Sequence, residues 1–307
     1  MKSTKLLLTL LGCSLGLAVS AQNQAGLDST GLPGDHFSLH GALALFQKAS
    51  TPEAFEKMLN EADNHVNNLD LNGDGETDYI RVIDHSRGDV HAFALQAVIS
   101  ASENQDVAVI ELERTGDTTA VVQIVGDEEI YGEKTIVEPD GNNDDGAYLY
   151  DQDKNEQRAH GPDAGSHFQS PRLVVNVWLW PSVKVVYGRA YRPWMSPWRW
   201  QHYPGWWKPW RPLSWTAYRP FHHHHHRHFV VTRSHRVLRA HTVYAPFRVS
   251  SVTVRTRHQA AVSGYRVSRT RTTVTGPRGN QATRTKTTVR GNNGRAKATR
   301  TTVRKHR

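Results

Sequence analysis

The chain has 307 residues, with 38 Lys and Arg against 29 Asp and Glu and a formal charge of +9. Its 37% hydrophobic content is below the roughly 45–50% of ordinary globular chains, a figure that also counts Gly, which argues against one large core over the full length. The charge is divided as well. Every acid falls between Asp28 and Asp163, while from Ser166 to Arg307 there are 28 cations and no acid. An acidic head is joined to a polycationic tail.

Lys2 and Lys5 precede an apolar run over residues 6–19 that closes on Val19-Ser20-Ala21. Basic residues, a short apolar stretch and small residues at the end read as a secretory signal over 1–21, cleaved before Gln22. Leu10-Leu11-Gly12-Cys13 offers a second reading, a lipoprotein box with Cys13 lipidated, although the apolar run continues well past Cys13. The expected address is outside the cytoplasm: periplasm, outer-membrane surface or extracellular space. Once cleaved at Ala21 the chain has no cysteine, so packing or metal must hold it where secreted proteins often use disulfides. No later stretch reaches the roughly 20 apolar residues that span a bilayer.

Residues 22–36 read as a disordered leader and residues 37–139 as an acidic α+β domain. Leu39, Ala42, Leu43, Leu45 and Phe46 make a helical stripe. Thr51-Pro52-Glu53 then predicts an N-cap with Pro in the first turn, and Phe55, Met58 and Leu59 give that second helix its apolar face. After Asn68 the period shortens to 2. Strands are expected around Ile80–Ile83, over 91–100, 107–113 and 119–126, with a short fifth run at 135–137. The tight turns between them, Arg87-Gly88-Asp89 among them, predict an antiparallel meander. His36 and His40 have i,i+4 spacing but lack an evident third ligand, and read as surface. Residues 140–165, rich in Asp, Asn and Gly, read as an acidic linker.

The head contains Asp70-Leu71-Asn72-Gly73-Asp74-Gly75-Glu76-Thr77-Asp78. Oxygen side chains at alternate positions of a curled loop suit Ca²⁺, which takes six to eight oxygens at roughly 2.3–2.6 Å. Asp70, Asn72, Asp74, Asp78 and the Glu76 carbonyl are the candidate ligands. Arg81 stands where an EF-hand places its bidentate Glu, and the next residues are strand-like. The loop therefore resembles the calcium loops of FG-GAP and thrombospondin type 3 repeats more than a helix-loop-helix. The resemblance covers about a dozen residues and implies a weak structural Ca²⁺ site, roughly 10⁻⁴–10⁻³ M.

Residues 166–220 form a Trp/Pro/Arg-rich segment. Its start, 173–187, alternates well enough for one or two strands turning at Pro181-Ser182. All nine Trp fall between Trp178 and Trp215. Frequent Pro predicts extended, turn-rich chain with exposed aromatics. Trp194, Trp198, Arg199, Trp200, Trp206, Trp207, Lys208, Trp210 and Arg211 are candidate contacts to a membrane or polyanion. The competing reading is an irregular Trp/Pro-packed subdomain with Arg as its solvated rim. Residues 221–228 hold the tract His222, His223, His224, His225, His226 and His228, whose neutral imidazoles suit Zn²⁺, Cu²⁺ or Ni²⁺. Residues 229–307 are Arg/Thr-rich with a degenerate repeat, Arg271-Thr272-Thr273-Val274 and Arg300-Thr301-Thr302-Val303 among its copies. With little apolar matter, they are expected to stay largely disordered until something acidic binds, and Arg271 and Arg300 join the candidate contacts.

Beyond the expected signal over 1–21, no Gly-x-Ser-x-Gly, P-loop, dinucleotide fingerprint or His-Glu-x-x-His is present, so no enzyme class has positive support. The overall layout resembles exported proteins of Gram-negative bacteria to which no activity is assigned. The leading expectation is a non-enzymatic protein with a Ca²⁺-stiffened head and a tail that adheres to lipopolysaccharide, acidic polysaccharide, phospholipid or extracellular DNA. The tail has a further acidic partner within reach, the head itself. The alternatives are transition-metal handling through the His tract and an enzyme of unrecognised type.

Overall fold

The computed structural model describes residues 29–141, 147–149, 173–275, 281–290 and 296–306. The expected signal sequence with Cys13, residues 22–28 of the expected leader and most of the acidic linker lie outside these residues, as do the segments 276–280 and 291–295. The rest of the leader is not disordered: it turns through a 3₁₀ helix, Pro33–His36, with Pro33 and Gly34 buried.

Helix α1 (Leu39–Lys48) begins where the Ser38 hydroxyl accepts a bond from the Gly41 amide at 3.0 Å, satisfying one of the amides a helix start leaves unpaired. Helix α2 (Pro52–Leu59) has Pro in its first turn, where no amide is needed, and Thr51 accepts from the Ala54 amide at 3.0 Å. Ala42, Leu43, Phe46, Phe55 and Leu59 are wholly buried on one face of the pair. Asn60 then ties α2 to the sheet, donating to the Ile80 carbonyl and accepting from the Ile80 amide.

Strands β1 (Ile80–Arg87), β2 (Val90–Val98), β3 (Asn104–Gly116), β4 (Thr119–Gly126) and β5 (Thr135–Pro139) follow as an antiparallel meander. Arg87 faces Val90 across a two-residue turn, and Gly88 has φ 63°, the positive value such hairpins favour. A short helix, α3 (Glu128–Tyr131), fills the β4–β5 connection. The fold class is α+β.

The tail contributes more structure than its composition suggests. Ala147–Leu149 (β6), inside the expected linker, pairs with Leu173–Val175 (β7). The predicted strands over 173–187 are otherwise replaced by helix α4 (Pro181–Val186). Pro181 occupies the first helical position, which its fixed φ favours, rather than a turn. Val183 and Val186 are buried in the same core as α1 and α2. Residues 191–213 are extended and irregular, as their Pro content predicts, and they lie along the outer edge of β1. There Met195 bridges Ile83, the Asp84 amide donates to Trp194, and the Ser196 amide donates to Val82. Helix α5 (Trp215–His222) follows, then strand β8 (Phe229–Thr232). Strand β8 pairs with β5, Ile136 opposite Thr232, and completes a six-stranded sheet ordered β1-β2-β3-β4-β5-β8. Both edges of the head's meander are therefore covered by tail.

Helix α6 (Leu238–Tyr244) packs on the sheet face opposite α1 and α2. Tyr244 joins Ile83, Ala92, Ala94, Val109, Val125 and Ile136 there. Around it the charges of the two halves meet. Arg236 pairs with Glu138 at 3.1 Å, Arg239 with Glu113 at 2.8 Å, and Arg248 with Asp127 at 2.6 Å. Helix α7 (Val252–Gly264) is capped by Ser251 and adds an Arg255–Glu129 pair. Strands β9 (Arg266–Thr275), β10 (Gln281–Arg290) and β11 (Ala296–His306) form a separate antiparallel sheet in the order β11-β10-β9. The tail is thus packed helix and strand through α7, with this second sheet beyond it. Among the described residues, no helix is long and apolar enough to cross a membrane.

Candidate metal centre

The His tract is held at both ends. On its N-terminal side Tyr218, 1% exposed, donates to the Val66 carbonyl at 2.7 Å, and the Phe221 ring stacks on His65 at 3.7 Å. On its C-terminal side the His228 carbonyl accepts from the Asp140 amide and β8 begins. Between these anchors the chain leaves α5 through a 3₁₀ turn, His224–Arg227. That turn folds the tract back on itself over the start of α1.

The result is a convergence of imidazoles. His222, His223 and His226 each offer a ring nitrogen, and these atoms lie within 4.8 Å of one another. The Nδ1 atoms of His223 and His226 are 3.2 Å apart. Two imidazole nitrogens on one tetrahedral Zn²⁺, each at about 2.0–2.1 Å, stand roughly 3.3 Å apart. His222 Nδ1 is buried with no hydrogen-bond partner, while a bond with the Phe37 backbone holds the ring from its other nitrogen. Ligating histidines are oriented in that way, through the nitrogen that does not bind the metal. His40, in the first turn of α1, is 7% exposed, and its ring centroid is 4.0 Å from that of His226.

Burial, reinforced by the neighbouring imidazoles, pushes His40 and His222 down to about 3 and His225 down to about 4. The His226 ring is lowered by the same two causes. These rings are therefore neutral near pH 7, the form that ligates metal. An all-imidazole donor set suits Zn²⁺, Cu²⁺ or Ni²⁺, so the residues fit the ions expected from the tract. His224, His225 and His228 do not join the convergent group.

The 70–78 loop closes on its own backbone. Asp70 accepts from the Gly73 and Gly75 amides at 2.6 and 3.0 Å. Asn72 accepts from the Asp74 amide and Asp74 from the Glu76 amide. Gly73 and Gly75 have φ of 75° and 85°, which side-chain-bearing residues resist. The Arg257 guanidinium lies directly over Gly73. Asp78 turns inward to the Leu71 amide at 2.6 Å, and its carboxyl is pushed well up by burial, with Asp70 and Asp74 adding repulsion.

The aromatic residues are mostly not exposed, which corrects the expectation of an open Trp surface. Trp207 is 7% exposed and packs with Tyr79 and Val98, and Trp198, Trp200 and Trp210 lean on that cluster. The Trp194 indole donates to Glu56 at 3.0 Å. Only Trp206 among these is largely exposed, at 45%, and Lys57 lies over its ring. The rings come to rest on the head because the Pro-rich chain leaves its backbone to bond β1, which lays the indoles against Tyr79. Arg199, Lys208 and Arg211 form the solvated rim. Arg271 and Arg300 stand in β9 and β11, opposite Thr285 and Thr287 of β10.

Compared with protein-family models, curated proteins and solved structures, the chain has no match.

His40 is the residue that sequence reasoning missed. It reads as surface because its nearest imidazole in sequence is His36, and its partner in space is more than 180 residues away. The signal available was its position in the first turn of α1, one residue after the buried Leu39.

Proposed function

We propose that the protein is an exported metal-binding protein that takes up a transition-metal ion, Zn²⁺, Cu²⁺ or Ni²⁺, on His222, His223 and His226 with His40 beside them. The observation that carries this reading is the buried, unpartnered Nδ1 of His222, on a ring that converges with two further imidazoles. A buried polar atom without a partner costs about 1–3 kcal/mol, and a metal ion removes that cost. The exported address is the reading of residues 1–21. Chelator competition with Zn²⁺ tests the site in two variants. H222A/H223A/H226A is expected to lose it, and H224A/H225A/H228A to keep it. Equal losses in the two would mean that the tract binds by composition alone and would overturn the reading.

A second activity is favoured by the distribution of charge. Residues 266–307 carry ten Arg, three Lys and no acid, whereas Arg236, Arg239 and Arg248, on α6 and its flanks, are already paired with head acids. We infer that adhesion to an anionic polymer or lipid surface belongs to β9–β11 rather than to the Trp block. Calcium at the 70–78 loop belongs to the same proposal, since a cation there offsets the crowding of Asp70, Asp74 and buried Asp78. Added Ca²⁺ is expected to raise the melting temperature of the wild type but not of D70N/D74N.

A further inference from the structure

The opposite face of the sheet carries a second group of convergent ligands. Glu111, in the middle of β3, is 0% exposed. Its Oε1 faces His241 Nδ1 of α6 at 2.7 Å, and its Oε2 faces His235 Nε2, on the connection between β8 and α6. One ligand atom from each residue lies within 4.8 Å of the others. The neighbouring carboxylates on this face, Glu113 and Glu138, are matched to Arg239 and Arg236, which cannot ligate a metal. Glu111 is matched to two groups that can. His241 also lines an open cleft of about 420 Å³, with Lys134, Asp127, Tyr244 and Arg248 among its walls.

We propose that Glu111, His235 and His241 form a second metal site for Zn²⁺ or a similar borderline divalent ion, with its remaining coordination open toward that cleft. Two imidazoles and one carboxylate are a donor set that Zn²⁺ takes when it keeps an open position. Two of the ligands reach the sheet on a short segment, but Glu111 is fixed by its strand, so the site has a rigid floor. Lys134 is its competitor. Its ammonium stands 2.9 Å from His235 Nδ1 and can only donate, which makes Nδ1 the acceptor and leaves the proton on Nε2, facing Glu111. Metal binding at Nε2 needs the other tautomer, with Nδ1 protonated, and so requires exposed Lys134 to swing away.

This site is independent of the His tract, and the test separates the two. Zn²⁺ is titrated into the full chain, into H222A/H223A/H226A, into H235A/H241A, and into K134A on the tract-variant background. The tract variant is expected to retain one bound Zn²⁺ per chain, and K134A to tighten that ion several-fold. H235A/H241A is expected to lose one ion relative to wild type, with circular dichroism confirming the fold. If the tract variant binds no Zn²⁺, the second site does not exist, whatever the tract does. If H235A/H241A binds as much as wild type, the second site falls while the tract reading stands. Loosened Zn²⁺ in K134A would also count against it, because Lys134 would then be helping the ion.

Discussion

Glu56 is a buried carboxylate that accepts four hydrogen bonds, from Tyr79 and Ser196 hydroxyls, the Trp194 indole and the Val82 amide. It joins α2, β1 and the Trp segment at one point. Burial nevertheless raises its carboxyl above the ordinary value, against the pull of those donors. E56Q keeps one oxygen and turns an amide toward groups that donate, so each donor left unpaired costs roughly 1–3 kcal/mol, and the melting temperature should fall. The pH dependence follows from the direction of the shift. Between the usual 4.5 and the raised value, the folded chain holds a proton that the unfolded chain has released. Glu56 therefore contributes stability at low pH that is lost as pH rises through the raised value. E56Q removes that slope, and denaturant melts across pH 4–8 in the two proteins check it; parallel curves would contradict the assignment. Nothing in the sequence marks this residue, since an acid in an amphipathic helix ordinarily faces water. The four donors come from segments as far as 140 residues away.

At the scale of elements, what was legible depends on how local the cause is. The apolar stripe of α1, the Thr51 cap and the Gly88 turn act between residues no more than three or four apart, so α1, α2 and the β1–β2 hairpin can be read directly. T51A should cost about 1 kcal/mol, the usual worth of such a cap, measurable by urea denaturation. The β5–β8 pairing has no local cause. Phe229-Val230-Val231-Thr232 is a β-prone run, but nothing nearby names its partner, and a Pro/Arg-rich composition hides the single bridge from Met195 to the edge of β1. The same holds for the candidate centre, since the tract is plain in sequence whereas His40 and the 3₁₀ turn that selects His222, His223 and His226 are not. The head cut off at Ala164 would expose both sheet edges and the face now under α6, and open edges invite pairing between chains. That truncated head should elute as aggregate in size exclusion, whereas the chain from Gln22 to Arg307 should not. A monomeric, cooperatively melting head would show that the tail is an accessory.

For the molecule as a whole, the division between acidic head and basic tail is in part an internal pairing, with Arg236, Arg239, Arg248 and Arg255 set against head acids. Cations beyond α7 have no such acids within their own sheet, because none exists after Asp163. Removing residues 266–307 should therefore abolish salt-sensitive binding to immobilised lipopolysaccharide or DNA. The wild type should release steeply as salt rises, through counterion release. Metal uptake should be unchanged by that deletion, because its ligands lie upstream. The central claim is the imidazole centre at the folded tract. It is tested most directly by X-ray absorption at the zinc edge on the H235A/H241A variant loaded with one Zn²⁺. The account predicts a shell of nitrogen ligands at about 2.0–2.1 Å with the outer-shell scattering of at least three imidazole rings. A shell dominated by oxygen, or one or two imidazoles only, would contradict it.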